Sequence, residues 1–272
     1  MGAGARSRTA LLTAAYRART PELSRDPWAA LLAGDEGAAL ATRYDAVNPH
    51  GALYTAVRTG FIDEEVARAL DRGVAQVVLL GAGLDTRAAR LARPGVRFFE
   101  VDRAESQADK LARLRALAAY PIDAAVYVAC ELGRDDFIDR LSASGFRADA
   151  PSFFIWEGVT FYLDESAVRA TLGRVARGTH ARTVIVFDYV ERKLAERRSR
   201  REEDRAMLAL LDELGEPFTF GMNDSTPLLY ETGFRHVRTV SFDQACLSLT
   251  GTYERSRAFR FQHLAVASRE AP

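Results

Sequence analysis

From residue 76 onward, short apolar runs alternate with stretches of helical periodicity. Gln76–Leu80 (QVVLL) is a β-branched run that stops at Gly81, and a helical stretch follows over Thr86–Leu91. Arg97–Val101 (RFFEV) reads as the next strand, and Ala104–Ala118 then carries Gln107, Leu111, Leu114 and Ala118 at helical spacing. Ala125–Ala129 (AVYVA), Pro151–Trp156 (PSFFIW) and Thr183–Phe187 (TVIVF) are three further strands, with helices expected near Asp135–Leu141 and over Asp164–Arg177. Runs that are apolar without alternation belong to strands covered on both faces. Strand and helix in strict succession build a parallel sheet.

Residues 1–75 read as helical. Asp26 before Pro27 is expected to cap one helix. Asp63 is expected to cap another, with Val66 and Leu70 on one face and Gly73 past its end. After the fifth strand, residues 190–214 read as one charged helix and Pro227–Thr232 as a short one. His236–Phe242 and Arg260–Ala267 are separated by only a loop-length segment, so they are expected to pair as an antiparallel hairpin. The expected fold is α/β, with a seven-stranded, mostly parallel sheet and an antiparallel terminal hairpin. Residues 1–75 form a helical N-terminal cap in the same domain, and 76–272 form the core, with a helical insertion at 190–225.

Composition narrows the function. A chain of 272 residues, 48% apolar and 27% charged, is long enough for one large domain and rules out disorder. Its 37 basic residues balance 37 acidic ones, so it lacks the basic excess of a nucleic-acid binder. All but Lys110 and Lys193 of those basic residues are arginine, a bias that fits a GC-rich genome. Cys130 and Cys246 match no metal spacing and exclude a disulfide framework. No apolar run approaches the ~18 residues of a membrane span. Arg6 and Arg8 precede a short apolar stretch, but Tyr16, Arg17 and Arg19 break it too early for a signal peptide, so a cytoplasmic protein is expected.

In open α/β sheets, ligands bind at the carboxyl ends of the strands. After strand one comes Gly81-Ala82-Gly83-Leu84-Asp85-Thr86, whose glycines allow a tight turn and close approach of backbone to a ligand. A dinucleotide fingerprint would want a third glycine where Thr86 stands. Strand two delivers Glu100 and Asp102 at the spacing where an acidic side chain accepts both ribose hydroxyls. Period two sets the pair on one side, one to reach the ribose and one to brace the loop. Strand three ends in Glu131-Leu132, suited to an adenine amino group and its ring, and strand four in Glu157-Gly158. Each feature alone is ordinary: a ligand-free turn, a solvated carboxylate. Glycine and acids at four successive strand ends outline an adenosine-shaped, cation-tolerant site, which a sulfonium cofactor fits.

These segments resemble the leucine carboxyl methyltransferase family, and more closely its bacterial branch of S-adenosylmethionine-dependent O-methyltransferases, which includes the tetracenomycin-type polyketide carboxyl O-methyltransferases. QVVLLGAGLDTRAARL (76–91), FFEVD (98–102) and IWEGVTFYL (155–163) carry the likeness. YRAR (16–19), DPWA (26–29) and YTAVRTGFID (54–63) add to it. The resemblance implies a Rossmann-like class I methyltransferase fold, S-adenosyl-L-methionine as cofactor with S-adenosyl-L-homocysteine as product, and activity of the EC 2.1.1 type. It also implies roles. Arg58 would hold the methionine carboxylate, Gly81 and Gly83 the cofactor loop, and Asp102 the ribose. Glu131 and Leu132 would meet the adenine, the glutamate standing where the family usually has aspartate, and Glu157 matches the family's fourth-strand glutamate. Arg17 and Tyr162 are candidate substrate contacts. The partner is a small molecule, with no nucleic acid, membrane or metal, and the chain is expected to be a monomer or weak dimer.

Of the four histidines, His180, His236 and His263 read as structural, and His50, in NPHGAL, is the one to test as a base. A carboxylate acceptor is already ionised at neutral pH and needs no base, whereas a phenol does. With base candidates this scarce, a carboxylate of a polyketide-type product is the expected acceptor, a phenol or other hydroxyl the alternative, and no catalytic residue is assigned. Residues 191–205 read as a self-neutralised exposed helix through Glu196–Arg200, Arg198–Glu202 and Arg200–Asp204, and as a candidate cover for the substrate pocket. Phe218, Phe220, Met222 and Tyr230 are candidate pocket lining, or simple packing. A nicotinamide dehydrogenase is disfavoured by Thr86, and a non-enzymatic cofactor binder remains open.

Overall fold

Strands that are apolar on both faces need two layers of cover. The computed structural model, which describes residues 7–252 and 260–272, supplies them. Residues 1–6, including the Arg6 weighed as part of a leader, lie outside the described residues. Four helices come first: Arg8–Arg19 (α1), Pro21–Ser24 (α2), Ala29–Asp45 (α3) and Gly51–Asp71 (α4). The alternating region follows as Gln76–Leu80 (β1), Arg87–Arg90 (α5), Arg97–Asp102 (β2), Ala104–Arg115 (α6), Ala125–Ala129 (β3), Phe137–Ala143 (α7), Phe153–Trp156 (β4), Glu165–Gly178 (α8) and Val184–Val190 (β5). Then come Arg192–Ala195 (α9), Glu202–Glu213 (α10), Thr226–Thr232 (α11), His236–Ser241 (β6), Phe242–Thr250 (α12) and Gln262–Ser268 (β7).

The strands form one seven-stranded sheet in the order β3-β2-β1-β4-β5-β7-β6. β1 to β5 run parallel, and β7 runs antiparallel to both β5 and β6. Period two distributes their side chains. Val77, Leu79, Phe153 and Ile155 join the core that includes α1, α3 and α4, while Val78, Leu80, Phe154 and Trp156 join the one that includes α7, α8 and α11. No helix among the described residues is long and apolar enough to cross a membrane.

Several expectations are corrected. Asp26 caps no helix at Pro27. α3 begins at Ala29, and the Asp26 carboxylate instead accepts the Trp28 amide at 3.1 Å and pairs with Arg17 at 2.9 Å. Asp63 lies inside α4 and takes Arg87 and Arg90, each at 2.6 Å. The single helix over 190–214 is two, separated by Arg197 in a left-handed conformation (φ 58°). The expected pairs along it are replaced by Arg198 with Glu196, Arg197 with Asp212 at 2.6 Å and Arg201 with Glu203 at 3.6 Å. β5 runs on to Val190, and the segment between the last two strands contains α12, started by a capping box between Ser241 and Gln244.

The helices over the first core pack tightly at Gly37 of α3. A Cβ there would lie 2.8 Å from the Leu11 carbonyl oxygen of α1 and 2.8 Å from the Ala33 Cβ. Alanine is the better helix former by about 1 kcal/mol, yet backbone on the far side cannot yield. Gly37→Ala is therefore expected to destabilise the chain by about 1–3 kcal/mol, read as a lower denaturation midpoint. An unchanged or higher midpoint would show that α1 and α3 separate freely.

Candidate active site

The carboxyl ends of β3, β2, β1 and β4 open into one cavity of about 440 Å³. Arg58, Gly81, Gly83, Asp102, Glu131, Leu132 and Glu157 all line it, as do Arg17 and Tyr162. The glycine turn needs its glycines. Gly81 has φ 69°, and a Cβ on it would lie 2.6 Å from Val159 Cγ2. The Gly83 amide donates to Asp102 Oδ2 at 2.6 Å, and the Arg103 amide to Oδ1 at 2.8 Å. Burial pushes the Asp102 carboxyl up, and these two amides act against that.

Glu100 and Asp102 divide their work. Asp102 faces the cavity. Glu100 is buried away from it and accepts Lys110 Nζ at 2.5 Å, and the same ammonium donates to the Asp85 carbonyl at 2.5 Å. Glu100 thus braces the glycine turn through Lys110. Burial pushes its carboxyl up to about 7, against the pull of Lys110.

Arg58 is fixed by three groups. Its Nε donates to Glu157 Oε1 at 2.7 Å, and its Nη1 donates at 2.9 Å to both Asp188 Oδ2 and the Tyr54 hydroxyl. Nη2 makes none of these bonds. The second Glu157 oxygen takes Arg87, so both carboxylate oxygens are committed. Burial alone would raise Glu157, but Arg87 and Arg58 hold it below the usual carboxylate range. Arg17 pairs with Asp26 and donates to the Leu84 carbonyl at 2.6 Å. Glu131 is exposed and reaches Arg134 at 3.1 Å. Tyr162 packs edge-on to Phe161 and Phe218, and burial, with the nearby Glu216, pushes its phenol up.

Other candidates lie elsewhere. His50 sits at the start of α4, and none of the four histidines lines the cavity. Phe218 supports Tyr162 from behind, Phe220 and Met222 are core, and Tyr230 is 47% exposed, so none of these four is pocket lining. The insertion reaches the cavity through Glu216, and its Thr219 amide donates to the Phe161 carbonyl at 2.8 Å. Tyr189 and Lys193 stand at the Tyr-x-x-x-Lys spacing of a dehydrogenase pair, but Tyr189 is buried in β5 against His263 and neither lines the cavity.

Arg87, Lys110, Asp188 and Glu216 are site residues that sequence reasoning missed. Asp188 had a signal: like Asp102 and Glu157, it leaves an apolar strand run at its carboxyl end.

A family model described as leucine carboxyl methyltransferase matches residues 7–176. A protein of Parafrankia sp. (strain EAN1pec) named "Putative S-adenosyl-L-methionine-dependent methyltransferase" is 36% identical over 192 residues, 65% of this chain and 60% of that protein. A Streptomyces coelicolor protein of the same description is 43% identical over 120 residues, 44% and 42% of the two chains. The chain spans about half the length of the curated relatives it matches. Among solved structures, a protein of Thermobifida fusca YX titled a "putative methyltransferase" superposes with TM-score 0.64 at 13% identity, covering 95% of this chain and 94% of that one. Magnesium protoporphyrin IX methyltransferase from Synechocystis PCC 6803 gives TM-score 0.52 at 15% identity, covering 87% and 95%. At these identities the likeness establishes the fold: the class I methyltransferase arrangement.

The Glu100 brace has a pH signature. Its folded-state value, about 7, lies above the ordinary 4.5. Its contribution to stability is therefore complete below pH 4.5 and is lost as pH rises through 7. Between those limits its share of the slope approaches about 1.4 kcal/mol per pH unit. Glu100→Gln is expected to flatten the decline in unfolding free energy across that window. Equal slopes in the two proteins would mean that Lys110 keeps Glu100 ionised throughout.

Proposed function

The chain belongs to the leucine carboxyl methyltransferase family, and from that premise we propose that it transfers the methyl group of S-adenosyl-L-methionine to a carboxylate oxygen of a small, polyketide-type molecule. One observation carries the reading: the Gly81 turn, Asp102 and Arg58 meet in a single cavity at the carboxyl ends of adjacent parallel strands. The donor set fits that cofactor. Asp102 has lone pairs left for ribose hydroxyls beyond the two amides it accepts. Arg58 keeps Nη2 for the methionine carboxylate. Glu131 and Leu132 stand at the adenine end, and Gly81 allows backbone contact with the ligand.

When bound, the sulfonium supplies an electrophilic methyl carbon. The chain's own work is to position and to exclude water. Glu157 and Asp188 hold Arg58 in one orientation, so little ordering is left for the moment of binding. The helices of residues 8–71 and the insertion of 190–225 serve as cap and cover, keeping water from the acceptor. A carboxylate acceptor is favoured by what surrounds the cavity. No histidine lines it, and Glu157 cannot accept a proton without releasing an arginine. An acceptor already ionised at neutral pH needs neither.

S-adenosyl-L-methionine and S-adenosyl-L-homocysteine are expected to stabilise the chain by about 2.7 kcal/mol at one hundred times Kd, seen as a raised Tm, and NAD is not. Asp102→Ala and Arg58→Lys should each weaken cofactor binding by about 1.5–3 kcal/mol in calorimetry. The lysine keeps the charge beside Glu157 and Asp188 while losing Nη2. With methyl-labelled cofactor and a panel of aromatic carboxylic acids, the product should be a methyl ester that mild alkali cleaves to methanol. Stabilisation by NAD alone would sink the cofactor assignment, and an alkali-stable aryl ether would sink the carboxylate one.

A further inference from the structure

Once the cofactor residues are assigned, part of the cavity lining is left without a role. Thr9 and Thr13 of α1, Phe161 and Tyr162 after β4, and Glu216 after α10 make up this part. Glu216 is 5% exposed, and its Oε2 accepts the Thr9 amide at 3.0 Å. The other carboxylates lining the cavity are mostly spoken for. Asp85 and Glu157 are paired with Arg87, Glu131 is paired with Arg134, and Asp164 caps α8 from an exposed position. That leaves Asp102 and Glu216, which among the described residues have no cation paired with them. Asp102 takes two backbone amides, and the proposed cofactor brings it hydroxyl donors. Glu216 has one amide, on one oxygen.

A carboxylate that lines the cavity with only one donor has lone pairs left for a ligand to fill. Beside Glu216, Tyr162 keeps its proton, because burial and the Glu216 charge both push the phenol up. Its ring and those of Phe161 and Phe218 lie 4.6–5.5 Å apart, centre to centre, in an edge-to-face cluster of which Phe161 and Tyr162 present apolar surface to the cavity. Building on the methyltransferase reading, we propose that Glu216 selects the methyl acceptor: an aromatic acid that carries, apart from the oxygen to be methylated, a hydroxyl or ammonium group that donates to the Glu216 carboxylate. Its side chain thereby sets specificity and takes no part in the displacement at the methyl carbon.

The competing role for Glu216 is to cap the first turn of α1 through Thr9. Glu216→Gln separates the two, because a glutamine carbonyl still accepts the Thr9 amide while the charge is gone. The test uses the full chain and its Glu216→Gln variant, both saturated with S-adenosyl-L-homocysteine. Binding of 4-methylbenzoate, 4-hydroxybenzoate and 4-(aminomethyl)benzoate is measured by calorimetry. At least one donor-bearing probe is expected to bind the unmodified chain about tenfold or more tighter than 4-methylbenzoate, as a charge-assisted hydrogen bond allows. In Glu216→Gln that margin should fall below about threefold, with S-adenosyl-L-homocysteine affinity unchanged. A gain for only one of the two donors identifies the group as hydroxyl or ammonium. Donor probes that bind no tighter than 4-methylbenzoate, no binding by any probe, or a preference that survives in Glu216→Gln overturns the proposal while leaving the cofactor reading in place. Failure of S-adenosyl-L-homocysteine itself to bind overturns both.

Discussion

The structure turns on one buried cation. Arg87 is 1% exposed, and its guanidinium meets Asp63 of α4, Asp85 of the glycine turn, Glu157 at the end of β4 and the Thr59 carbonyl. A guanidinium taken out of water is expensive, and it is tolerated only where anions and carbonyls replace the lost hydration. The arginine therefore needs three separate pieces of chain in one place, and each of those carboxylates needs the arginine. Burial alone would raise the Asp85 carboxyl, yet the arginines around it, with Arg87 foremost, hold it well below the usual range. Removing one partner would leave the others charged and dry, so the first-strand turn, the fourth-strand end and the N-terminal helices are fixed as a unit.

The same network makes the cavity specific in shape. Glu157 stands between Arg87 and Arg58, so the position of Arg58 is inherited from the fold. On its other side, Asp188 accepts Arg58, Tyr54 and the Gly158 amide, the last at 2.7 Å. Glu100 and Lys110 do the equivalent for the glycine turn from beneath. Fold stability and site geometry here draw on the same ion pairs. A substitution at Arg87 or Asp188 would thus act on both, and activity alone could not assign its effect.

What the sequence made legible follows from which forces are local. β1 and β3 fall on the predicted residues because QVVLL and AVYVA are apolar runs bounded by turn residues. The strand-end residues were legible because a parallel sheet sends every carboxyl end to one edge. The errors have the opposite cause. Asp26 and Asp63 look like caps, but Arg17, Arg87 and Arg90, distant in the chain, claimed their oxygens. β5 looked finished at Phe187, since an aspartate rarely continues a buried strand, and Asp188 continues it only because Tyr54, Arg58 and Gly158 satisfy it. α12 was missed although Ser241 and Gln244 spell a capping box, because the two flanking strands suggested a plain loop. Lys110 and Glu216 had no local mark at all, because their partners at the site come from other segments, and of the partners of Arg87 only Asp85 is local.

That division bears on how the site can work. A group that accepts a proton during turnover must have an oxygen or nitrogen free to do so, and must bear the change of charge. Glu157 and Asp85 are bound into the Arg87 network, and protonating either would take one anion away from a buried guanidinium. The arginines hold both below the usual carboxylate range. The carboxylates of the Arg87 network are thus built to keep their charge. Constant charge suits the proposed methyl transfer, whose electrophile would arrive as a cation and whose product cofactor would leave neutral. The anionic lining favours the charged reactant, while fixed dipoles and a closed cavity limit solvent reorganisation. Rate enhancement in such a site comes from alignment of acceptor, methyl carbon and sulfur, and alignment is what a network shared with the fold secures.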